Sequence, residues 1–176
     1  MEKLVARAKI SSQGFTLIEM VVVLLVVSVL SVVIGTVLLN GVRAYQGTSD
    51  ALTVLSKLRY AVERIAREVR PIGFDSVTGS YSVTDMSPSR LAFSKFDNTQ
   101  VVIEQVGTEV LMTYTPPGIT STLVDQVNQL NLGYLQMDGT VATTANALGY
   151  IQIDLSLANN GQTYDQSSLA ALRIKP

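Results

Sequence analysis

The chain has 176 residues, no cysteine, no histidine, 15% charged residues, a formal net charge of −1 and a pI near 5.4. That length holds one domain with a single buried core, with or without its first 14 residues. The missing residue types exclude disulfides, thiolate metal sites, Ser-His-Asp and Cys-His catalysis and the usual zinc centres, and the charge balance lacks the basic footprint that duplex nucleic acid requires. Enzymes that work through carboxylates alone stay open, but no enzyme activity, cofactor or nucleic-acid partner is expected.

Met20 to Leu39 is a stretch of twenty residues without a charge. At 1.5 Å per residue it covers about 30 Å, the thickness of a hydrocarbon core. Lys3, Arg7 and Lys9 precede it against Glu2, and Arg43 alone follows until Lys57. The positive-inside rule then places the amino terminus in the cytoplasm and exports the rest. Three explanations compete: a cleaved secretory signal, a plain signal anchor and a prepilin leader. Val42-Arg43-Ala44 passes for a secretory cleavage site, but the apolar run exceeds the roughly 7 to 15 residues of such signals. Glu19 fits neither plain explanation. A carboxylate near a bilayer is costly and marks function by default, although one turn from the segment's edge it also has the option of snorkelling to the headgroups.

Its neighbours carry the decision. Lys9-Ile10-Ser11-Ser12-Gln13-Gly14-Phe15-Thr16-Leu17-Ile18-Glu19 resembles the type IV prepilin motif, in which a basic leader ends in glycine and is followed by phenylalanine, three residues and glutamate. The resemblance implies that a membrane-embedded prepilin peptidase cuts the Gly14–Phe15 bond on the cytoplasmic side and methylates the new amine of Phe15. The apolar helix is then retained in the bacterial inner membrane, with the head in the periplasm, before assembly into a filament. Glycine leaves room for close approach of the protease, and Glu19 in the first helical turn suits the positive end of the macrodipole. Between staggered subunits, the Phe15 amine of one helix and Glu19 of the next neutralise each other in a low-dielectric core. Glu19 is thus the expected assembly contact. Ser28, Ser31 and Gly35 fall three and four apart on one face, a candidate packing stripe or a chance grouping of small residues. Major pilins often carry a proline further along this helix; none occurs here before Pro71, and Gly35 and Gly41 are the candidate substitutes.

Further on, Leu52, Leu55, Leu58, Val62, Ile65 and Val69 recur at helical spacing and predict an amphipathic helix burying one stripe. Glu63 and Arg67 form an acid-first pair, and with Arg59, Arg64, Glu68 and Arg70 they read as a solvated face. Gly41, Gly47 and Ser49-Asp50 suggest a break or a fresh cap near the membrane exit, and Pro71 and Gly73 a stop. The expected organisation is a leader at 1–14, a membrane and assembly helix at 15–40, an amphipathic helix at 41–70 and a β-rich head at 71–176.

The head reads as strands and turns. Ser76 to Ser89 is expected as a loop with a short strand at Tyr81 to Val83. Arg90 to Phe96, Gln100 to Val106 and Val110 to Thr115 form a meander separated by Asp97-Asn98 and Gly107-Thr108, closed by Pro116-Pro117-Gly118. Leu123 to Met137 resumes before an Asp138-Gly139 turn. Tyr150 to Leu157, with Ile151, Ile153, Leu155 and Leu157 on one face, ends at Asn159-Asn160-Gly161, with Leu169 to Ile174 as candidate hairpin partner. The fold class is α+β, one long helix packed on an antiparallel sheet.

The helix from Leu58 to Arg70, the stretch from Leu123 through Tyr134 to Asp138-Gly139 and the Tyr150 to Leu157 strand resemble J-type minor pseudopilins of type II secretion and the related PilW and MSHA minor pilins. The likeness implies a minor subunit acting in filament initiation or at the tip. Its partners would be other minor and major pilins or pseudopilins, the prepilin peptidase and the inner-membrane assembly platform. The rival reading is a signal-anchored or secreted periplasmic domain with a binding or enzymatic role. Asp75, Asp85, Asp97, Asp125, Asp138, Asp154 and Asp165 are scattered, and no twelve-residue calcium loop appears. A looser calcium site on a surface loop stays open.

Overall fold

A computed structural model describes residues 14–173. The leader residues Lys3, Arg7 and Lys9, and the end of the expected last strand at Ile174, lie outside the described residues. The chain divides into two compact units, 1–48 and 49–176, and a single helix, α1 (Leu17–Val69), contributes to both. The suggested break near Gly41, Gly47 and Ser49-Asp50 is absent. A glycine in a helix costs only about 1 kcal/mol relative to alanine. Without a proline to remove a hydrogen bond, that is too little to end the run. Ser49 is no cap; its carbonyl accepts a hydrogen bond from the Thr53 hydroxyl at 3.0 Å. The helix ends at Val69, directly before Pro71 and Gly73, as expected.

In the second unit, α1 buries Val54, Leu58, Ala61, Val62, Ile65, Ala66 and Val69. Leu52 and Leu55 stay exposed at 60% and 45%, contrary to expectation. Spacings of three and four fit more than one stripe. Val54, four residues before Leu58, lines up with it, whereas Leu52, six before, lies about 120° around the helix.

Among the described residues the head carries ten strands in antiparallel sheets. A two-stranded ribbon pairs β1 (Phe74–Asp75) with β2 (Ser80–Tyr81). A five-stranded meander follows in chain order: β3 (Val83–Ser87), β4 (Arg90–Ser94), β5 (Gln100–Val106), β6 (Glu109–Thr115) and β7 (Ile119–Val124). A three-stranded sheet has the order β10-β9-β8, from β8 (Val127–Leu135), β9 (Tyr150–Asn159) and β10 (Gln162–Ala171). Helix stripe and sheets share one apolar core, in which Leu58, Ile65, Phe93, Ile103, Ile153 and Leu157 are almost wholly buried. Each such side chain contributes about 1.5–3 kcal/mol of burial.

The α+β plan holds, but several details differ from expectation. Half of the polar 76–89 segment is strand, because Tyr81, Val83 and Met86 pack on the core while Thr84 between them faces outward. Pro116-Pro117-Gly118 turns the chain into a fifth strand rather than closing the meander. Three of the four exposed positions of β7, Thr120, Ser121 and Thr122, are polar, which hid it from an apolar count. The expected strand from Leu123 splits at Asp125-Gln126, where Gln126 takes φ 60°. β10 starts straight after a tight turn, with Asn160 and Gly161 at φ 50° and 77° and Gln162 opposite Asn159. Paired positive φ values are what a two-residue hairpin requires.

The charge run on α1 is not all solvated. Glu68 is buried, paired with Arg64 at 2.9 Å and with Lys95 just beyond β4. Lys95 also sits 5.3 Å from the centre of the Tyr114 ring on β6, and Arg64 donates to the Tyr114 hydroxyl at 3.0 Å. This network ties helix to meander. Burial pushes the Tyr114 phenol up, partly offset by the Arg64 hydrogen bond. Glu63 pairs with Arg59 at 3.3 Å, in place of the expected Arg67. A second tie comes from Tyr134 on β8, whose hydroxyl donates to the Ser87 carbonyl at 2.8 Å and joins the two larger sheets.

Candidate prepilin-type signal and anchor helix

Gly14, Phe15 and Thr16 precede the helix in non-helical conformation, and all three are exposed. Phe15 keeps 78% of its surface accessible, so the Gly14–Phe15 bond is open to approach. Helix α1 then starts with a reciprocal cap. The Thr16 hydroxyl accepts the Glu19 backbone N–H at 3.3 Å, while a Glu19 carboxylate oxygen accepts the Thr16 backbone N–H at 3.4 Å. Thr16 hydroxyl and Glu19 carboxylate also lie within hydrogen-bond reach of each other at 3.4 Å. This is a capping box, which satisfies two of the donors that a helix start leaves unpaired. Thr16 is the capping residue that the sequence reading missed. Its signal was present, since Thr16-Leu17-Ile18-Glu19 is the Thr-x-x-Glu pattern ahead of an apolar run.

The cap bears on Glu19 directly. A carboxylate at the third helical position serves the local backbone and also sits at the positive end of the helix dipole. It is therefore held near the Phe15 end of the helix before any neighbouring chain arrives.

From Met20 to Leu39 the helix carries no charged residue and buries none of its side chains. An 18-residue window reaches a mean hydropathy of 3.0 with none of it buried, long and apolar enough to cross a membrane. Its hydroxyls turn back on their own helix: Ser28 donates to the Leu25 carbonyl at 2.8 Å, Ser31 to Val27 at 2.7 Å and Thr36 to Val33 at 2.8 Å. Such bonds leave no hydroxyl unsatisfied in an apolar medium. Ser28 and Ser31 are exposed and Gly35 is half-buried, and the three share a face by spacing. Ser28, nine residues after Glu19, lies about 180° around the helix from it. Carboxylate and small-residue stripe thus face different directions.

The geometry agrees with the comparisons to known proteins. A family model described as the prokaryotic N-terminal methylation motif matches residues 10–35. The amino terminus is a type IV prepilin-like processing signal. The match spans Gly14, Phe15, Glu19 and the small-residue stripe, and it stops short of the head. No curated relative matches the chain. Signal and apolar helix together suggest a membrane-anchored structural subunit, processed by a prepilin peptidase and assembling with pilins.

Elsewhere, among the described residues, no three carboxylates converge on a point that would hold a metal ion. The surface aspartates are engaged locally instead. Asp75 is held below the usual carboxylate range by the Val77 backbone N–H, and Asp97 by that of Thr99. Asp85 is lowered by the Ser87 hydroxyl and then by Arg90, and Asp125 by Lys57 at 2.8 Å.

Proposed function

We propose that the protein is a minor pilin or pseudopilin, a subunit of a type IV pilus or type II secretion filament acting in filament initiation or at the tip. In this reading the peptidase removes residues 1–14 on the cytoplasmic side and methylates the Phe15 amine. Residues 15–40 form the inner-membrane and assembly helix, 41–70 continue it into the periplasm, and 71–176 form the head. Glu19 pairs with the Phe15 amine of a neighbouring subunit, while Ser28, Ser31 and Gly35 admit a second helix on the opposite side. Partners are the peptidase, other minor and major subunits and the inner-membrane assembly platform.

The observation that carries the reading is the prepilin-type signal leading into an apolar helical segment with none of its residues buried and one carboxylate, Glu19, in its first turn. A pair of opposite charges removed from water at an interface is worth most when both are present, and a lone buried carboxylate is costly. The capping box shapes the test. Glu19→Ala removes both cap and docking charge, whereas Thr16→Ala removes one half of the cap, about 1 kcal/mol of helix start, and leaves the carboxylate. Glu19→Ala is expected to be processed normally and to incorporate into filaments at least ten-fold less than wild type, with Thr16→Ala near wild type. Unaltered incorporation of Glu19→Ala would refute the docking role.

A further inference from the structure

Four edges end the two larger sheets, and three of them are poorly suited to further pairing. β3 is irregular between Val83 and Asp85, and the β6–β7 ladder shifts register after Val110. β8 shifts between Val127 and Gln129 and gives the Val127 and Leu132 N–H groups to the carbonyls of Thr108 and Pro88, at 2.9 and 2.7 Å. β10 differs. All ten of its residues pair with β9 in unbroken register, no described strand pairs with its other side, and it contains no proline, no lysine and one charge, Asp165. Proteins normally blunt such edges with bulges, proline, charge or a covering element. A long regular edge without them is a template for an added strand.

The space beside that edge has a chemical character. Ser168 of β10 and Glu63, Ala66, Arg67 and Arg70 of α1 line a groove of about 250 Å³. Arg59 and Arg64 are engaged by Glu63 and Glu68, but Arg67 and Arg70 are exposed and make no ion pair among the described residues. We infer that this groove receives an extended segment of a different polypeptide, added as a strand to β10 and bearing carboxylates toward Arg67 and Arg70. Side chains of a strand alternate, so those of β10 on the Ser168 side are Tyr164, Gln166 and Ala170 together with Gln162. None is acidic. A second copy pairing through its own β10 would bring Asp165 to the opposite face and offer no β10 carboxylate to either arginine, which is why a different chain is the occupant. The inference is independent of processing at Gly14.

The test uses the full chain in detergent micelles and three capped peptides, Thr-Val-Thr-Glu-Thr-Val-Thr-Glu and its counterparts with lysine or glutamine for glutamate. Backbone hydrogen exchange across residues 162–171 is the readout. The glutamate peptide is expected to slow exchange there at least ten-fold and the lysine peptide not at all. The Arg67→Gln/Arg70→Gln double variant should bind about ten-fold more weakly, the scale expected for two exposed ion pairs. A glutamine-for-glutamate peptide deletes the same charges without altering the protein, and the same loss is expected. No slowing by any peptide, equal slowing by all three, or slowing with rising protein concentration alone alongside a dimer in light scattering would overturn the inference.

Discussion

The two units teach different things because different physics holds them. In residues 17–48 the apolar side chains are exposed, and the described side-chain hydrogen bonds run to the helix itself. In the head, apolar side chains from α1 and the sheets interlock in one core. A helical segment whose apolar side chains stay exposed keeps its composition for another environment, whether lipid or neighbouring helices. The head spends its apolar residues on its own stability.

The sharpest way to break that contrast is one substitution made twice on α1. Leu58→Ala, at a site with no exposed surface, should cost the head about 2–5 kcal/mol. Leu30→Ala, at a site 52% exposed, should leave head stability unchanged. Urea unfolding of the detergent-solubilised chain, followed by tyrosine fluorescence, measures both; equal losses would mean that the two units share a core. Next comes the buried network. Glu68→Gln leaves Arg64 and Lys95 without their carboxylate and should cost about 2 kcal/mol, less than a fully buried pair because both cations reach water. A loss below about 0.5 kcal/mol in the same assay would place Glu68 among ordinary surface charges.

The smallest effect expected is that of pH. Asp75, Asp85, Asp97, Asp125 and Asp138 all have folded-state values below the ordinary one, through hydrogen bonds from backbone N–H groups, hydroxyls, Arg90 or Lys57. A depressed carboxylate stabilises the fold above its unfolded value, near 3.9, and that contribution is lost as pH falls through the folded value. With no histidine in the chain, melting temperature should stay flat from pH 8 to about pH 5 and decline below about pH 4. A fall between pH 7 and 6 would contradict this.

Legibility followed the same division. The signal at Gly14, Phe15 and Glu19 was readable because its chemistry is local, set by fixed offsets along one helix start, and Thr16 was readable by the same logic. In the head, strands with apolar alternation such as Tyr150–Asn159 were readable, since burial of Ile151, Ile153, Leu155 and Leu157 imposes the pattern. The edge strand β7 and most of β10 were not. β7 and β10 bury few side chains and are held by backbone ladders, which leave little mark on residue type. The exposure of Leu52 and the burial of Glu68 depend on which face of α1 meets the sheets, and spacing alone does not choose among neighbouring stripes.

The central claim is that residues 1–14 are a leader removed to expose Phe15. Mass spectrometry of the amino-terminal peptide, from protein isolated from membranes carrying an active prepilin peptidase, tests it most directly. The predicted result is a chain beginning at N-methylated Phe15; a chain beginning at Met1, or near Tyr45 after secretory cleavage, would contradict it.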